Sequence, residues 1–186
     1  PMTGGTPVAL PLPHGVDRIE AMGSAAVVVG AGGGDLHFTG IALSGAPRVA
    51  QRYVSRGATQ GEERSHGFFY RQDGPDEGVI GLPVGRPGRP GYQHLFSESA
   101  AVLFLRSDAE RFAELGELAA HPEGAADDAC VASCVDWYGN SRPLFLGGRI
   151  FALLGYEIVE GTLRGGQLGE VRRVSFAPAP GLASRR

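Results

Sequence analysis

Residues 27–43 read Val-Val-Val-Gly-Ala-Gly-Gly-Gly-Asp-Leu-His-Phe-Thr-Gly-Ile-Ala-Leu, an apolar run that ends in a glycine cluster and resumes beyond it. A dinucleotide-binding loop would need a further glycine at position 35, where the chain has Asp35, and a helix after it to receive the pyrophosphate. The residues after the cluster instead alternate between apolar and polar or small side chains, which is the period of a strand. We therefore predict a glycine-rich β-hairpin.

Short apolar runs separated by turns continue along the whole chain, which contains 30 Gly and 13 Pro. The runs are too short for helices and are rich in Val, Ile, Phe and Tyr, which favours buried strands. We predict an all-β, mainly antiparallel fold. A single β domain is expected over residues 16–176, after an N-terminal extension over 1–15 and before a flexible tail over 177–186.

One segment, residues 107–121, carries helical signals. It opens with Ser-Asp-Ala-Glu, the pattern of a capping box, and Pro122 follows it. Its apolar residues Phe112, Leu115 and Ala119 fall at helical spacing. Gly116 weakens a helix, and a strand is the alternative, but the local signals favour at most one short helix here.

Three apolar runs share one shape. Residues 23–30, 99–106 and 148–155 each begin with a small residue, continue with mostly apolar side chains and end at a turn-capable or polar residue. Each precedes a polar stretch and another apolar run, as an inner strand precedes its hairpin partner. A propeller blade takes about 40–50 residues, so we predict a partial or small β-propeller-like array of about three to four blades. A β-sandwich or barrel is the alternative.

Charge and composition exclude several functions. The formal net charge is −3, and the basic residues are all arginine and form no block, which speaks against nucleic acid or an acidic membrane surface as a partner. A phosphate-binding loop of the Gly-Lys-Ser/Thr type needs a lysine, and the chain has none. No apolar stretch approaches the roughly 20 residues of a membrane-spanning helix. We expect no cofactor.

The two cysteines are Cys130 and Cys134. A zinc site would need two further ligands at short spacing, and none is present, so we expect no metal site. We assign the two cysteines to a local disulfide in an exported protein, and free buried thiols are the alternative.

The densest polar and aromatic stretch, residues 135–143, contains the only tryptophan. Its side chains can stack on a sugar or on a partner's side chain, or can lie buried under a tight turn. We take Asp136, Trp137 and Tyr138, together with His66, as candidate ligand-binding residues. His66 follows Ser65 directly, and adjacent strand residues point to opposite faces, so the two cannot act as nucleophile and base. The residues around them are predicted to form a polar loop with solvated charges.

Two short motifs carry a family resemblance. Val-Asp-Arg-Ile-Glu-Ala-Met-Gly at 16–23 leads into an apolar run, and Leu-Gly-Glu-Leu at 115–118 follows one. The chain resembles secreted bacterial β-propeller proteins that are distantly similar to WD-type repeats. The resemblance lies in these two motifs and extends over residues 16–54, 97–118 and 142–176. No Trp-Asp blade ending or Gly-His opening is present, and no catalytic residue carries over. The resemblance implies a secreted or periplasmic protein.

The function that we expect is a non-enzymatic binding or scaffold module, exported, that engages a protein or glycan partner through its loops. The alternative is a carbohydrate-active hydrolase that uses Asp136 and another acid from a distant loop. Three blades would leave a wide apolar sheet face and exposed strand edges. We therefore expect a protein partner, a missing part of a longer chain or a second copy of the chain to complete the array.

Overall fold

The structure is a computed structural model that describes residues 7–85, 100–108, 111–121, 141–155 and 157–176. Within these ranges the chain is all-β, with one 3-10 turn, Ser65–Gly67, and no α-helix. The strands are β1 Arg18–Met22, β2 Ala25–Gly32, β3 Asp35–Ala42, β4 Arg48–Ser55, β5 Thr59–Gln60, β6 Phe69–Gln72, β7 Gly78–Gly85, β8 Ala100–Ser107, β9 Phe112–Ala119, β10 Arg142–Leu146, β11 Arg149–Leu154, β12 Glu157–Arg164 and β13 Gln167–Ser175.

The strands form three antiparallel sheets in chain order. Sheet A has the order β1-β2-β3-β4, and sheet C has the order β10-β11-β12-β13. In sheet B the order is β7-β8-β9, and both β5 and β6 pair with β7 on its other side. The first strand of sheet B is therefore split in two, and residues 61–68 leave the sheet between its halves.

The hairpin at residues 27–43 is confirmed as β2 and β3. Their register runs without interruption from Gly32, which pairs with Asp35, to Val27, which pairs with Gly40. Gly33 and Gly34 form the two-residue turn with φ of 63° and 85°. Glycine adopts these positive φ values without steric penalty, and such turns match the twist of the flanking strands.

Sheet B is the middle layer of the stack because its strands alternate between two apolar faces. In β7, Ile80 and Leu82 pack against sheet A, whereas Val79 packs against sheet C. In β8, Leu103 belongs to the first core and Phe104 to the second. Period-two alternation places successive side chains on opposite faces, so a continuous apolar run fills both interfaces.

All three sheets stack in the same orientation, so that corresponding edge strands lie on the same side. The last strands of the sheets lie together, with β9 contacting β4 on one side and β13 on the other. Near the opposite edge, β10 contacts both β6 and β7, and β11 contacts β8. The stack has three layers, one more than a two-sheet sandwich.

The predicted helix at 107–121 is wrong, because residues Phe112–Ala119 form β9. The register shifts opposite Phe104 and Leu105, so Leu115 is an extra residue in β9. This bulge turns Leu118 to the same face as Leu115, and both are buried against sheet C. The helical spacing of Phe112, Leu115 and Ala119 is that of a strand buried on both faces, with Phe112 and Ala119 toward sheet A and Leu115 toward sheet C.

The apparent capping box at the same place is turn chemistry. Asp108 Oδ1 accepts a hydrogen bond from the Arg111 amide at 2.8 Å, and the Asp108 amide donates to the Arg111 carbonyl at 3.1 Å. An Asp side chain satisfies backbone donors in turns as well as at helix starts. The sequence signal for the two is therefore the same.

The three runs of similar shape do not occupy equivalent strands. Two of them contain the second strands of their sheets, β2 and β11, whereas the third contains β8, the third strand of sheet B. The shape therefore marks a buried strand rather than one position in a repeat.

The structure describes residues 7–15 of the predicted N-terminal extension. Residues 1–6 and the predicted tail at 177–186 lie outside the described residues. Part of the predicted N-terminal extension contacts sheet A. The Gly15 amide donates to the Ala31 carbonyl at 2.9 Å, and the rings of His14 and His37 stack with centroids 5.1 Å apart.

Replacing Gly81 by alanine tests the packing of sheet B on sheet C. A Cβ at Gly81 would lie 2.4 Å from Pro143 Cβ in β10. We expect Gly81→Ala to lower the free energy of unfolding by about 1–3 kcal/mol, measured by urea denaturation. Gly169→Ala in β13 is the control, because a Cβ there meets nothing within 4 Å. Equal stability of the two variants would contradict the stacked arrangement.

Tyr53 of β4 links sheets A and B, since its hydroxyl donates to Glu114 Oε2. Burial, followed by the hydrogen bond and the charge of Glu114, raises the pKa of Tyr53 above its ordinary value. The folded protein therefore keeps this proton at a pH where the unfolded chain has lost it, and stability falls as pH rises above about 10. Tyr53→Phe should lose about 1 kcal/mol at pH 7 and show a shallower decline above pH 10 in urea titrations. An unchanged alkaline slope would contradict this linkage.

Candidate ligand-binding cleft

A cleft of about 120 Å³ opens between sheets A and B. It lies at the end of the stack where the β1–β2 and β3–β4 turns meet the β6–β7 and β8–β9 turns. Its lining residues are Met22, Ser24, Ala25, Ile41, Ala42, Ser44, Arg48, Ala50, Gln51, Tyr70, Asp76, Ser107 and Asp108. Residues of both sheets therefore contribute to one concave surface.

Hydrogen bonds between the two sheets hold this cleft together. The Ser24 hydroxyl, in the β1–β2 turn, donates to Asp76 Oδ1 in the β6–β7 turn. That second turn is itself closed by the amides of Asp73 and Gly74, which donate to the Glu77 carbonyl at 2.9 and 3.0 Å. This turn therefore positions the carboxylate of Asp76 at the cleft.

Gln51 of β4 forms a buried part of the cleft wall and is 8% exposed. Its Nε2 donates to the Asp108 carbonyl of sheet B at 2.9 Å. Its Oε1 is buried and accepts no hydrogen bond within the described residues. The side chain lies across Gly40, where a Cβ would come within 2.3 Å of Gln51 Cγ, so Gly40 is required for this position.

Tyr70 of β6 lines the same cleft. Burial, and then the negative charges of Asp73, Asp76 and Glu77, raises the pKa of Tyr70 above its ordinary value. The hydroxyl therefore remains protonated and can both donate and accept a hydrogen bond. Together with Arg48, Asp76 and the serine hydroxyls, it makes the cleft polar without giving it a strong charge of one sign.

The structure places His66 in a different cluster, in the segment 61–68. The Glu62 carboxylate is 5% exposed; its Oε1 accepts a hydrogen bond from the Arg64 amide at 2.8 Å, and its Oε2 lies 3.4 Å from His66 Nε2. At that distance the two groups do not form an aligned hydrogen bond, and His66 Nε2 has no hydrogen-bond partner within the described residues. Gly67 allows the close packing, because a Cβ there would be 2.8 Å from Glu62 Cγ.

Arg18 of β1 fixes this segment to sheet A. Its Nη2 donates to the carbonyls of Glu63 at 2.7 Å and Arg64 at 2.9 Å, and its guanidinium lies 5.9 Å from the centre of the Phe68 ring. The prediction that the charges here are solvated is wrong for Glu62, and Arg18 is buried as well. Backbone amides and carbonyls replace the water that both groups lose.

The predicted site and the observed cleft involve different residues. His66 lies near Arg18, at the start of β1, whereas the cleft begins near Met22, at the end of the same strand. Asp136, Trp137, Tyr138, Cys130 and Cys134 lie outside the described residues. Their grouping with His66 and the disulfide therefore stay predictions. The 3-10 turn that contains His66 contacts β10, which follows residues 135–140 closely in sequence.

Sequence reasoning missed Gln51 and Gly40, since no local pattern marks either residue as part of a cleft. In the part of the chain that the structure describes, no three His, Cys, Asp or Glu side chains come together as a metal site would need. None of its helical segments is long and apolar enough to cross a membrane. Comparisons with protein-family models, curated proteins and solved structures find no match.

Proposed function

We propose that the chain is a non-enzymatic binding module, exported to the periplasm or the cell exterior, that engages a protein or glycan partner at the loop end of its sheets. The observation that carries this proposal is the cleft between sheets A and B. Turns from both sheets converge there, and they present hydroxyl, carboxylate, amide and guanidinium groups beside a small apolar wall. Convergent polar groups in an apolar concavity are typical of ligand sites.

The proposal includes a propeller-like array in which each sheet is one blade. Four-stranded antiparallel sheets that follow one another along the chain are the building unit of propellers. Sheets A and C have this form, and sheet B has it with a split first strand. The three sheets stack with their last strands, β4, β9 and β13, on the same side, and this shared orientation supports the assignment.

The outer face of sheet C supports completion of the array by a second copy. Ile158 pairs with Val174 on the face turned away from sheet B, and these side chains are 38% and 51% exposed. Leu146, at 60%, is a further exposed apolar residue of sheet C, separated from this pair by the Arg149–Glu160 ion pair. A second copy that packs on this face continues the stack of three sheets. Propellers have roughly four to eight blades, so an array of three sheets is one that a further copy can extend.

Light scattering coupled to size-exclusion chromatography tests whether a second copy of the chain completes the array. We expect the purified chain to have twice the mass of one chain, because burial of the exposed apolar residues on the outer face of sheet C drives association. Val174→Asp should give a monomer, since a charge cannot be buried unpaired in this interface. Val8→Asp is the control, because Val8 is exposed outside the sheets. A folded wild-type monomer would overturn the proposal that a second copy covers the outer face of sheet C.

Capture without turnover tests the binding function. We expect the immobilised chain to retain members of a glycan or peptide array, and mass spectrometry of the retained ligands to show no cleavage. Ser44→Trp should weaken capture at least about tenfold, because an indole at the rim fills the cleft. Gln167→Trp, in the exposed β12–β13 hairpin, is the control.

The hydrolase alternative makes the opposite prediction for the same experiment. Cleaved glycan that disappears with Asp136→Asn would replace the binding module by an enzyme. Absence of both capture and cleavage would overturn the binding function itself.

A further inference from the structure

We infer that residues 10–15, the strap, cap the outer face of sheet A, so that a further copy of the chain packs there only when the strap is displaced. This inference rests on the proposed contact between copies and states which end of the stack is closed to it. The outer face of sheet A is the face turned away from sheet B. Ile19, Val28 and Thr39 lie on it, because they pair across β1, β2 and β3 and alternate with the residues that pack on sheet B.

The low exposure of this face shows that its middle is covered. Val28 is 5% exposed and Thr39 is 1% exposed, although both lie on the outer face. On the outer face of sheet C, by contrast, Ile158 and Val174 are exposed. The two ends of the stack therefore differ, because the middle of sheet A is shielded whereas sheet C is open.

The strap supplies this cover. A hydrogen bond of 2.8 Å joins His14 Nε2 to Thr39 Oγ1 in β3, and the His14 ring stacks on that of His37 in the same strand. A Cβ at Gly30 of β2 would lie 1.9 Å from the carbonyl oxygen of Gly15. Gly30 is therefore required, because the backbone of the strap lies directly on the strand at this position.

The strap covers the face without joining the sheet. Pro11 and Pro13 have no amide hydrogen, and within the described part of the chain residues 7–14 take part in no backbone–backbone hydrogen bond. Leu10 and Leu12 are half-buried, whereas both prolines are exposed. Alternate side chains are thus shielded, as in an extended segment that lies along a surface. Such a segment can leave the face without breaking the hydrogen bonds between the strands of sheet A.

The number of open faces sets the size of the assembly. Among the described sheets, the strap leaves one end of the stack open, the outer face of sheet C, so two copies can join and no such face remains for a third. Terminal caps keep arrays of stacked repeats soluble by covering the last apolar face. When the strap is displaced, each chain has two open faces. The uncovered face then takes another copy, because the exposed apolar residues of that copy's sheet C require a surface of this kind.

Light scattering of the full chain with Gly30→Ala tests the cap. The added Cβ collides with the backbone of Gly15 and displaces the strap from the face beneath it. We expect the assembly to have at least about twice the wild-type mass, because each chain then has two open faces. Gly169→Ala is the matched control and should keep the wild-type mass, because a Cβ there meets nothing within 4 Å. Addition of Ile19→Asp to Gly30→Ala should restore the wild-type mass, since Ile19 is an exposed residue of the uncovered face and a charge there opposes burial.

A second variant keeps the test decisive if Gly30→Ala does not fold. Leu12→Asp places a charge on the half-buried side of the strap and should raise the mass in the same way, while a thermal melt confirms the fold. A folded variant that keeps a wild-type dimer mass would overturn the cap and leave the second copy at sheet C standing. A wild-type monomer whose Gly30→Ala variant associates would support the cap and overturn the second copy, whereas monomers throughout would overturn both.

Discussion

The burial of sheet B on both of its faces is the constraint on which the remaining structure depends. The central stretches of β7 and β8 contain apolar residues at every position except Gly81, and alternation sends one set toward sheet A and the other toward sheet C. A sheet of this composition cannot be stable with one face in water. It requires two neighbours, and Gly81 opposite Pro143 shows how closely the second neighbour approaches.

Polar chemistry is consequently confined to the ends and edges of the sheets. At one end, turns from sheets A and B meet and form the cleft around Gln51. Near the other end of β1, Arg18 and Glu62 are buried only because backbone groups of the segment 61–68 pair with them. The segment 61–68 connects β5 to β6, the two halves of the first strand of sheet B. It can leave the sheet because β5 and β6 pair with different parts of β7.

Local patterns predicted much of the fold but little of the cleft. The hairpin around Gly33 follows from residues next to one another, and it is confirmed. The helix expected at 107–121 is wrong because β9 buries apolar residues on both of its faces, and this two-sided burial together with a bulge at Leu115 gives a spacing like that of a helix. Gln51 was missed because its importance depends on Gly40 and Asp108, which are far from it in sequence.

What the sequence by itself determined is the all-β class, the strand-rich apolar runs and the glycine turns, because these depend on the period of side chains and on the backbone freedom of single residues. Only the tertiary structure decided which face each strand buries, that Glu62 and Arg18 lie inside, and that the buried amide oxygen of Gln51 has no partner among the described residues. These properties arise where strands distant in sequence meet, and no local pattern records the desolvation and the hydrogen-bond partners found there.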